Sequence, residues 1–275
     1  MDKRLIFPIV IWVLFIAIAI VLWRVFDYIF YLFNFLYIGS CLAAGIFLYI
    51  KKVKYARNIV QAAVGLYMLV YLGILSNENM QIEGFWYYLF LGVFQAAVLH
   101  YAIAKIFGPF LFGRGWCGYA CWTAIPLDLL PYKTPQNPRK SIRCIPYILF
   151  MASFLFVSTL FLLRLPNIER IMLWSFIIGN ILYYATGIAL AFILKDNRAF
   201  CKYVCPVTVF LRPASYFAFF RIKNDTEKCI HCGKCIKACP MDVNMIDNSR
   251  KRAHGNECIL CLKCVDECPA KSLHM

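Results

Sequence analysis

Two runs of cysteines near the C-terminus constrain this chain more than any other feature. Each run has the spacing C-x2-C-x2-C-x3-C-P, in which three cysteines lie close together and a fourth precedes a proline. A spacing this tight brings three thiolates to one face of a single inorganic centre, while the fourth cysteine reaches towards the other run. The two runs consist of Cys229, Cys232, Cys235 and Cys239, and of Cys258, Cys261, Cys264 and Cys268.

Iron–sulfur clusters are the cofactors that this spacing favours. Bacterial proteins with two [4Fe-4S] clusters use the same spacing, and the fourth cysteine of each run binds the cluster of the other run. Two zinc sites or a disulfide framework are the alternatives, but zinc sites usually pair C-x2-C with a distant second pair, and disulfides need an oxidising compartment. The expected ligands are Cys229, Cys232, Cys235 and Cys268 for cluster 1, and Cys258, Cys261, Cys264 and Cys239 for cluster 2.

Long apolar runs before residue 220 place most of the chain in a membrane. Of the 275 residues, 62% are hydrophobic and 17% are aromatic, and several runs reach the ~20 residues that cross a bilayer as a helix. The sequence predicts a mainly α fold, a polytopic membrane helix bundle of six spans followed by an α+β two-cluster ferredoxin domain. The spans are predicted at residues 5–23, 28–50, 58–75, 85–112, 145–163 and 171–194, with a polar loop at residues 76–84.

Three domains are expected from the same pattern. Residues 1–57 are predicted to form an additional transmembrane hairpin, residues 58–220 a four-helix membrane core with two C-x3-C motifs, and residues 221–275 the ferredoxin domain.

The net charge of +15 follows membrane topology and does not indicate nucleic-acid binding. Residues 224–275 carry eight Lys or Arg and seven Asp or Glu, so the excess of positive charge lies in the membrane part. By the positive-inside rule, the basic loops at residues 51–57 and 114–143 face the cytoplasm. We therefore expect a multi-pass protein of the cell's inner membrane with both termini in the cytoplasm, where thiols stay reduced.

Two further cysteine pairs follow predicted helical hairpins. Both pairs are C-x3-C with a tyrosine at the centre, and they consist of Cys117 with Cys121 and of Cys201 with Cys205. If the hairpins are repeats that pack about a pseudo-two-fold axis, the four thiolates converge and form a third iron–sulfur site. Buried structural cysteines, a zinc site and a redox-active dithiol are the alternatives.

Few other side chains offer redox chemistry. Of the four histidines only His100 lies in a predicted span, so this chain alone cannot supply the two axial histidines of a haem b. His100 is a candidate donor to a quinone carbonyl, and the alternative is a packed histidine bonded to a neighbouring helix. Arg114 and Lys202 flank the cysteine pairs, either as charges that favour thiolates or as ordinary interfacial anchors.

The order of these motifs resembles the NapH-type ferredoxin-like membrane proteins, with kin in the membrane parts of NosR-type and CcoG-type polyferredoxins. The resemblance rests on paired C-x3-C motifs at the ends of membrane hairpins, followed by the two long cysteine runs, and covers roughly residues 58–275. Family members usually show C-x3-C-P twice, whereas here Cys121 is followed by Trp122. The resemblance implies electron transfer between quinol, or a membrane redox partner, and other redox proteins.

One main function and two alternatives follow. We expect an iron–sulfur subunit of a quinol dehydrogenase-like complex, which relays electrons between a membrane carrier or membrane redox subunit and a cytoplasmic redox protein. A reductase that supplies electrons for metal or disulfide reduction during cofactor assembly is the first alternative, and a redox sensor is the second. The sequence contains no nucleophile elbow, phosphate loop or H-E-x-x-H motif, so hydrolysis and group transfer gain no support.

Overall fold

A computed structural model describes residues 6–94 and 96–275, and the predicted cytoplasmic N-terminus at residues 1–4 lies outside the described residues. The fold is mainly helical, as expected. In chain order the helices are α1 Ile6–Phe26, α2 Phe30–Ile50, α3 Ala56–Leu66 with a π-helical continuation Tyr67–Leu75, α4 Ile82–Phe90, α5 Ala96–Tyr101 with a π-helical continuation Ala102–Phe107, α6 Gly108–Phe112, α7 Gly115–Tyr119, α8 Ala124–Leu129, α9 Ile145–Leu162, α10 Ile168–Leu194, α11 Ala199–Tyr203, α12 Thr208–Tyr216, α13 Lys234–Lys237 and α14 Lys263–Asp266. The strands are β1 Lys223–Asn224 and β2 Leu273–His274, and a 3-10 turn covers Gly255–Glu257.

Five helical segments among the described residues are long and apolar enough to cross a membrane. They are Pro8–Phe26, Phe30–Ile50, Ala56–Leu75, Ile145–Leu162 and Ile168–Leu194, and they correspond to five of the six predicted spans. Each contains at least the ~17 residues that a bilayer core requires. The expectation of several membrane-crossing helices is therefore supported.

The fourth predicted span is not one helix, and the prediction of a continuous helix over residues 85–112 is wrong. Helix α4 ends at Phe90, and Gly92 follows with a left-handed φ of 70°. A glycine in this conformation is a common helix terminator because it lacks a Cβ. The chain becomes helical again at Ala96, whereas α10 runs unbroken for 27 residues. The helices that precede the two C-x3-C pairs are therefore not alike.

The predicted polar loop at residues 76–84, which we call the re-entrant segment, is largely buried. Asn79 and Gln81 are only 1% and 3% exposed. The Asn79 amide Nδ2 donates to the carbonyl oxygen of Met172, at 2.9 Å, and to Ser175 Oγ, at 3.0 Å, on α10. The segment therefore folds back along α10 and does not form an exposed turn.

The chain divides into two compact units. The first contains residues 6–67 and Tyr119–Trp122, and the second contains Met68–Gly118 and Thr123–Met275. Within the first unit, Trp12 Nε1 of α1 donates to Ser40 Oγ of α2 at 3.1 Å. The expected boundary at residue 220 lies inside the second unit.

Aromatic side chains form much of the core of the second unit. Rings from α4, α5, α9 and α12 pack with centroids 4.9 to 5.6 Å apart, and they belong to Phe85, Trp86, Tyr101, Phe150 and Phe210. Such a pair contributes ~0.5–1.5 kcal/mol beyond its area burial. Trp86 Nε1 also donates to Ser153 Oγ at 3.2 Å. This core connects α4 and α5 to α9 and α12.

The tail has the expected α+β character. Strand β1 pairs antiparallel with β2, which joins the start of the tail to its end. The two cysteine runs share one backbone conformation, because left-handed φ values occur at His231 and Gly233 and again 29 positions later at Leu260 and Leu262. Each run then enters a single-turn helix, α13 or α14. The tail is therefore an internal structural repeat.

Candidate metal centres

The four cysteines predicted for cluster 1 surround one pocket. The pocket is lined by Cys229, Cys232, Cys235 and Cys268, together with apolar side chains. Cys268 Sγ lies 3.3 Å from Ser272 Oγ, while Cys232 is exposed and Cys235 is buried. The fourth cysteine of the second run therefore lines the same pocket as the first three cysteines of the first run, and their role as ligands of one cluster stays a prediction.

The four cysteines predicted for cluster 2 form a more buried group. Cys239, Cys258, Cys261 and Cys264 are electrostatic neighbours of one another. Burial raises the pKa of Cys258 to about 12 and the pKa of Cys239 to about 11. These thiols would stay protonated at neutral pH unless a metal displaced the proton, so metal binding here is coupled to proton release.

Zinc and an iron–sulfur cubane require different distances between their thiolate ligands. Within residues 6–94 and 96–275, no three His, Cys, Asp or Glu side chains converge closely enough to share one ion. Four sulfurs on one zinc, each at ~2.3 Å from the metal, would lie only ~4 Å from one another. In an iron–sulfur cubane each thiolate binds a different iron, so the thiols stand farther apart.

The four cysteines of the two C-x3-C pairs, which we call the membrane cysteines, are Cys117, Cys121, Cys201 and Cys205. Three of them surround a buried arginine. Arg114 is fully buried, and its Nη2 donates to the carbonyl oxygen of Cys201 at 3.1 Å. Burial acts to lower the pKa of the Arg114 guanidinium, but Cys117, Glu257, Cys201 and Cys205 outweigh burial and raise it. Arg114 therefore stays charged beside three thiols.

The fourth membrane cysteine lies in the other unit. Cys121 is half-buried and belongs to the Tyr119–Trp122 segment, which groups with the first unit. The convergence of all four cysteines on one centre therefore stays a prediction.

A second buried arginine, Arg198, was missed by the sequence reasoning. Its Nη1 donates to the carbonyl oxygen of Cys117 at 3.1 Å and lies 3.7 Å from Cys201 Sγ. Its Nε donates to Asp128 Oδ1 at 2.7 Å, and Nη2 binds the other carboxylate oxygen of Asp128. The only signal in the sequence is that Arg198 precedes the second C-x3-C pair by three residues; its partner Asp128 is 70 residues away.

Positive charge outweighs burial at Cys117. Burial alone would raise the pKa of the thiol, but Arg114, Lys105 and Arg198 lower the pKa below its usual value. The thiolate is the form that binds iron. The surroundings of Cys117 therefore favour the thiolate over the neutral thiol.

Carboxylates of the tail pair with cations that precede the tail in the chain. Glu257, which is 4% exposed, accepts from Arg139 at 2.7 Å and from Arg212 at 3.2 Å. Lys202 Nζ is fully buried and binds Asp242 at 2.6 Å. Lys202, like Arg114, is therefore part of a buried ionic network and is not an interfacial anchor.

Residues 114–118, which we call the Cys117 segment, pack directly against the second cysteine run. The Arg114 N–H donates to the carbonyl oxygen of Cys258 at 3.2 Å. A Cβ at residue 118 would lie 2.4 Å from the carbonyl oxygen of Ile259, so only glycine fits there. Backbone contacts therefore connect the first C-x3-C motif to the loop predicted to hold cluster 2.

His100 lies apart from the thiols in an aromatic setting. Its ring centroid is 5.2 Å from Trp116 and 5.7 Å from Tyr101. A packed histidine explains these contacts, and the suggested role of His100 towards a quinone stays a prediction.

Comparisons with known proteins agree with this geometry. A family model described as a 4Fe-4S dicluster domain matches residues 221–269, and one described as a 4Fe-4S binding domain matches residues 86–130 and 173–224. The matched residues include both long cysteine runs and both C-x3-C pairs.

Similar proteins occur in an archaeon and a bacterium. The uncharacterized protein MJ0749 of Methanocaldococcus jannaschii is 25% identical over 203 residues, which cover 72% of this chain and 78% of that protein. The uncharacterized protein MJ0750 of the same organism is 22% identical over 182 residues, covering 58% and 75%. The putative electron transport protein YccM of Escherichia coli K12 is 38% identical over 47 residues, covering 17% of this chain and 13% of YccM. No solved structure matches the chain.

The cysteine geometry and the family matches agree on the chemistry. Two 4Fe-4S family models and a short match to an electron transport protein fit the paired cysteine sets of the tail. These matches support a ferredoxin-like iron–sulfur protein.

Proposed function

We propose that this protein is a membrane-bound relay that passes electrons between a membrane redox carrier, or a membrane partner subunit, and a cytoplasmic redox protein. The contact between the Cys117 segment and the Cys258 run carries the proposal, because it joins a cysteine motif of the helical part to the tail. A lipid-anchored ferredoxin would need no such contact.

The tail cysteines are the proposed ligands of two [4Fe-4S] clusters. Cluster 1 is assigned to Cys229, Cys232, Cys235 and Cys268, which line one pocket. Cluster 2 is assigned to Cys258, Cys261, Cys264 and Cys239, which are mutual electrostatic neighbours. Clusters bound by these thiolates would supply one-electron redox chemistry.

A third iron–sulfur centre is proposed at the membrane cysteines. Its ligands would be Cys117, Cys121, Cys201 and Cys205. The buried guanidinium groups of Arg114 and Arg198 support this assignment, because a thiolate-bound cluster is anionic and needs nearby positive charge. These two arginines would also favour the reduced form of such a centre, which carries one more negative charge.

The different burial of the two cysteine runs in the tail suggests where the partner binds. Ile259 and Leu260 in the second run are 2% and 8% exposed, whereas Ile230 in the first run is 65% exposed. We call residues 228–237 the exit loop. Its charged side chains are Lys228, Lys234 and Lys237, all exposed, and it contains no carboxylate, although Lys228 pairs with Asp225 at 2.6 Å. An acidic redox protein is the partner that this loop fits best.

Topology and family are proposed on the same basis. The positive-inside rule places the tail and the loops at residues 51–57 and 114–143 in the cytoplasm, which suits oxygen-sensitive thiolate chemistry. The order of the motifs makes NapH-type membrane proteins the proposed kin. The domains proposed above, 1–57, 58–220 and 221–275, follow the same motif order.

Reduction by quinol tests the proposed function. Anaerobically purified protein in lipid nanodiscs would be mixed with a short-chain quinol, and visible absorbance and EPR would follow the tail clusters. We expect reduction of the tail in the wild type and a strong loss of reduction in Cys201→Ser. Cys144→Ser is the matched control, since Cys144 is exposed and belongs to none of the proposed sets.

Two outcomes would reject the relay. The first is an intact set of tail clusters that no quinol and no membrane fraction can reduce or oxidise. The second is equal quinol reduction in the wild type and Cys201→Ser, which would mean that electrons reach the tail without the membrane cysteines.

A further inference from the structure

The re-entrant segment carries polar groups deep along α10. Gln81 packs at Gly179, where a Cβ would lie 2.4 Å from Gln81 Oε1. Gly179 is 11 residues after Ile168, the first residue of α10, which at ~1.5 Å per residue is ~16 Å along the helix. This is about half of a ~30 Å bilayer core. Irregular backbone at such a depth occurs only where protein surrounds it or where it lines a cavity.

The segment is held in one conformation. Besides binding α10, Asn79 accepts a hydrogen bond from the Gln81 N–H at 2.9 Å. A Cβ at residue 84 would overlap the carbonyl oxygen of Asn79, at 1.6 Å, so the chain can turn into α4 only with glycine there. These contacts fix where the side chains of residues 81–83 begin.

Two buried polar atoms of this fixed segment lack hydrogen-bond partners in the part of the chain that the structure describes. They are Nε2 of Gln81, a donor, and Oε2 of Glu83, an acceptor when ionised. Gln81 as a whole is 3% exposed. Buried polar groups are nearly always paired, so an unpaired donor and an unpaired acceptor two residues apart point to a bound polar molecule.

The two unpaired groups, on Gln81 and Glu83, lie close to the membrane cysteines. Tyr183, one helical turn beyond Gly179 on α10, has both Glu83 and Cys205 as electrostatic neighbours. Its ring centroid is also 5.0 Å from the ring of Phe200, which precedes Cys201. Tyr183 is therefore an electrostatic neighbour of both Glu83 and the second C-x3-C motif, and its ring packs on the residue that precedes Cys201.

We propose that Gln81 and Glu83 bind the head group of a membrane quinol or quinone. The Gln81 amide would donate to one ring oxygen, and the Glu83 carboxylate would accept from a ring hydroxyl. A lipid-soluble ring with oxygens that accept and donate matches a donor and an acceptor at mid-membrane depth beside redox-active sulfur. The inference rests on the proposed function and puts the carrier at the re-entrant segment instead of at His100.

Quinone binding to the full-length protein in nanodiscs tests this site. Decylubiquinone and menadione, a benzoquinone and a naphthoquinone, would be titrated and their dissociation constants measured by calorimetry. We expect Gln81→Leu and Glu83→Leu each to weaken binding of at least one probe by about tenfold or more, which corresponds to about 1.4 kcal/mol. Ser158→Ala, which removes a hydroxyl that already donates to the carbonyl oxygen of Phe154 on α9, should bind as the wild type does, and His100→Phe should do the same.

A loss of iron would reveal a variant that fails to fold. A second measurement, on the wild type alone, tests the site in that case. An azidoquinone would be photo-crosslinked to the wild type, and mass spectrometry should find the label in residues 76–90 or 172–183. Wild-type affinity in both variants, a label around His100, or no binding of either probe to the wild type would overturn the site. Failure of the proposed function would look different, because the iron content or the redox response of the tail would be lost while quinone binding could still be measured.

Discussion

Replacement of Glu257 by glutamine should destabilise the second unit more than any exposed carboxylate can. Glu257 is 4% exposed and faces three guanidinium groups, with contacts of 2.7 Å to Arg139, 3.2 Å to Arg212 and 3.6 Å to Arg114. Glu257→Gln keeps the shape of the side chain but leaves these buried cations without their shared counter-charge. The cost comes from the uncompensated charge and not from a lost contact.

The expected size can be worked out from this geometry. Breaking a buried ion pair by removing one partner costs ~3–5 kcal/mol, and we take ~3 kcal/mol because the amide oxygen still accepts a hydrogen bond. In a unit of about 150–250 residues, each kcal/mol lowers the thermal midpoint by ~2–4 °C. Glu257→Gln should therefore lower the midpoint by about 6–12 °C, measured as the loss of visible cluster absorbance on anaerobic heating.

Glu227→Gln is the matched control, because Glu227 lies on the exposed surface of the same tail. A surface change of this kind stays within about 0.5 kcal/mol, so its midpoint should move by less than about 2 °C. Equal shifts in the two variants would refute the argument that the arginines hold the second cysteine run through Glu257.

Three further predictions concern the contact, the metal and the exit loop. Gly118→Ala should lower the thermal midpoint, because its Cβ would meet the Ile259 carbonyl oxygen at 2.4 Å. Gly187→Ala should lower the midpoint less, because its Cβ would meet only the flexible Leu127 side chain at 3.0 Å. Equal midpoints in the two variants would contradict the close approach. Removal of iron by a chelator should make residues 221–275 sensitive to protease, since the tail has one two-residue strand pair and single-turn helices, and an unchanged digestion pattern would contradict this. Replacement of all three exit-loop lysines by glutamate should slow association with an acidic redox protein by about tenfold at low salt and reverse its salt dependence, because salt then screens a repulsion. Unchanged kinetics would place the partner elsewhere.

The cysteine spacing could predict an iron–sulfur tail, which the 4Fe-4S dicluster match over residues 221–269 supports, because ligand geometry is local. Three thiols within seven residues can reach one centre in few ways, and the structure also brings Cys268 to the first run. The repeat of backbone conformation at a 29-residue offset, with left-handed residues at His231 and Leu260, could be anticipated only in part, since leucine rarely adopts that conformation.

The ionic network around the membrane cysteines could not be read from the sequence. Arg198 pairs with Asp128 across 70 residues, and Arg139 pairs with Glu257 across 118 residues. Such pairs depend on how helices pack, and no local pattern encodes them. A charged residue near a predicted membrane end looks the same in sequence whether it is an interfacial anchor or a buried ion.

Two other features were misjudged for a related reason. Residues 76–84 are polar and follow a span, which is typical of an exposed loop, but Asn79 finds partners on α10 and stays buried. The apolar run over residues 85–112 has the composition of one span, and the single left-handed Gly92 divides it. Composition reports the average environment of a segment and does not report a break or a fold-back within it.

Iron and acid-labile sulfide per chain test the central claim most directly, the claim that membrane and tail cysteines hold connected iron–sulfur centres. Anaerobically purified wild type should contain about twelve iron and twelve sulfide atoms per chain, and Cys117→Ser and Cys201→Ser should each contain about eight, as expected for loss of one cubane. Cys144→Ser should match the wild type. About eight iron atoms in the wild type and in both membrane variants would contradict the account, because the membrane cysteines would then hold no cluster.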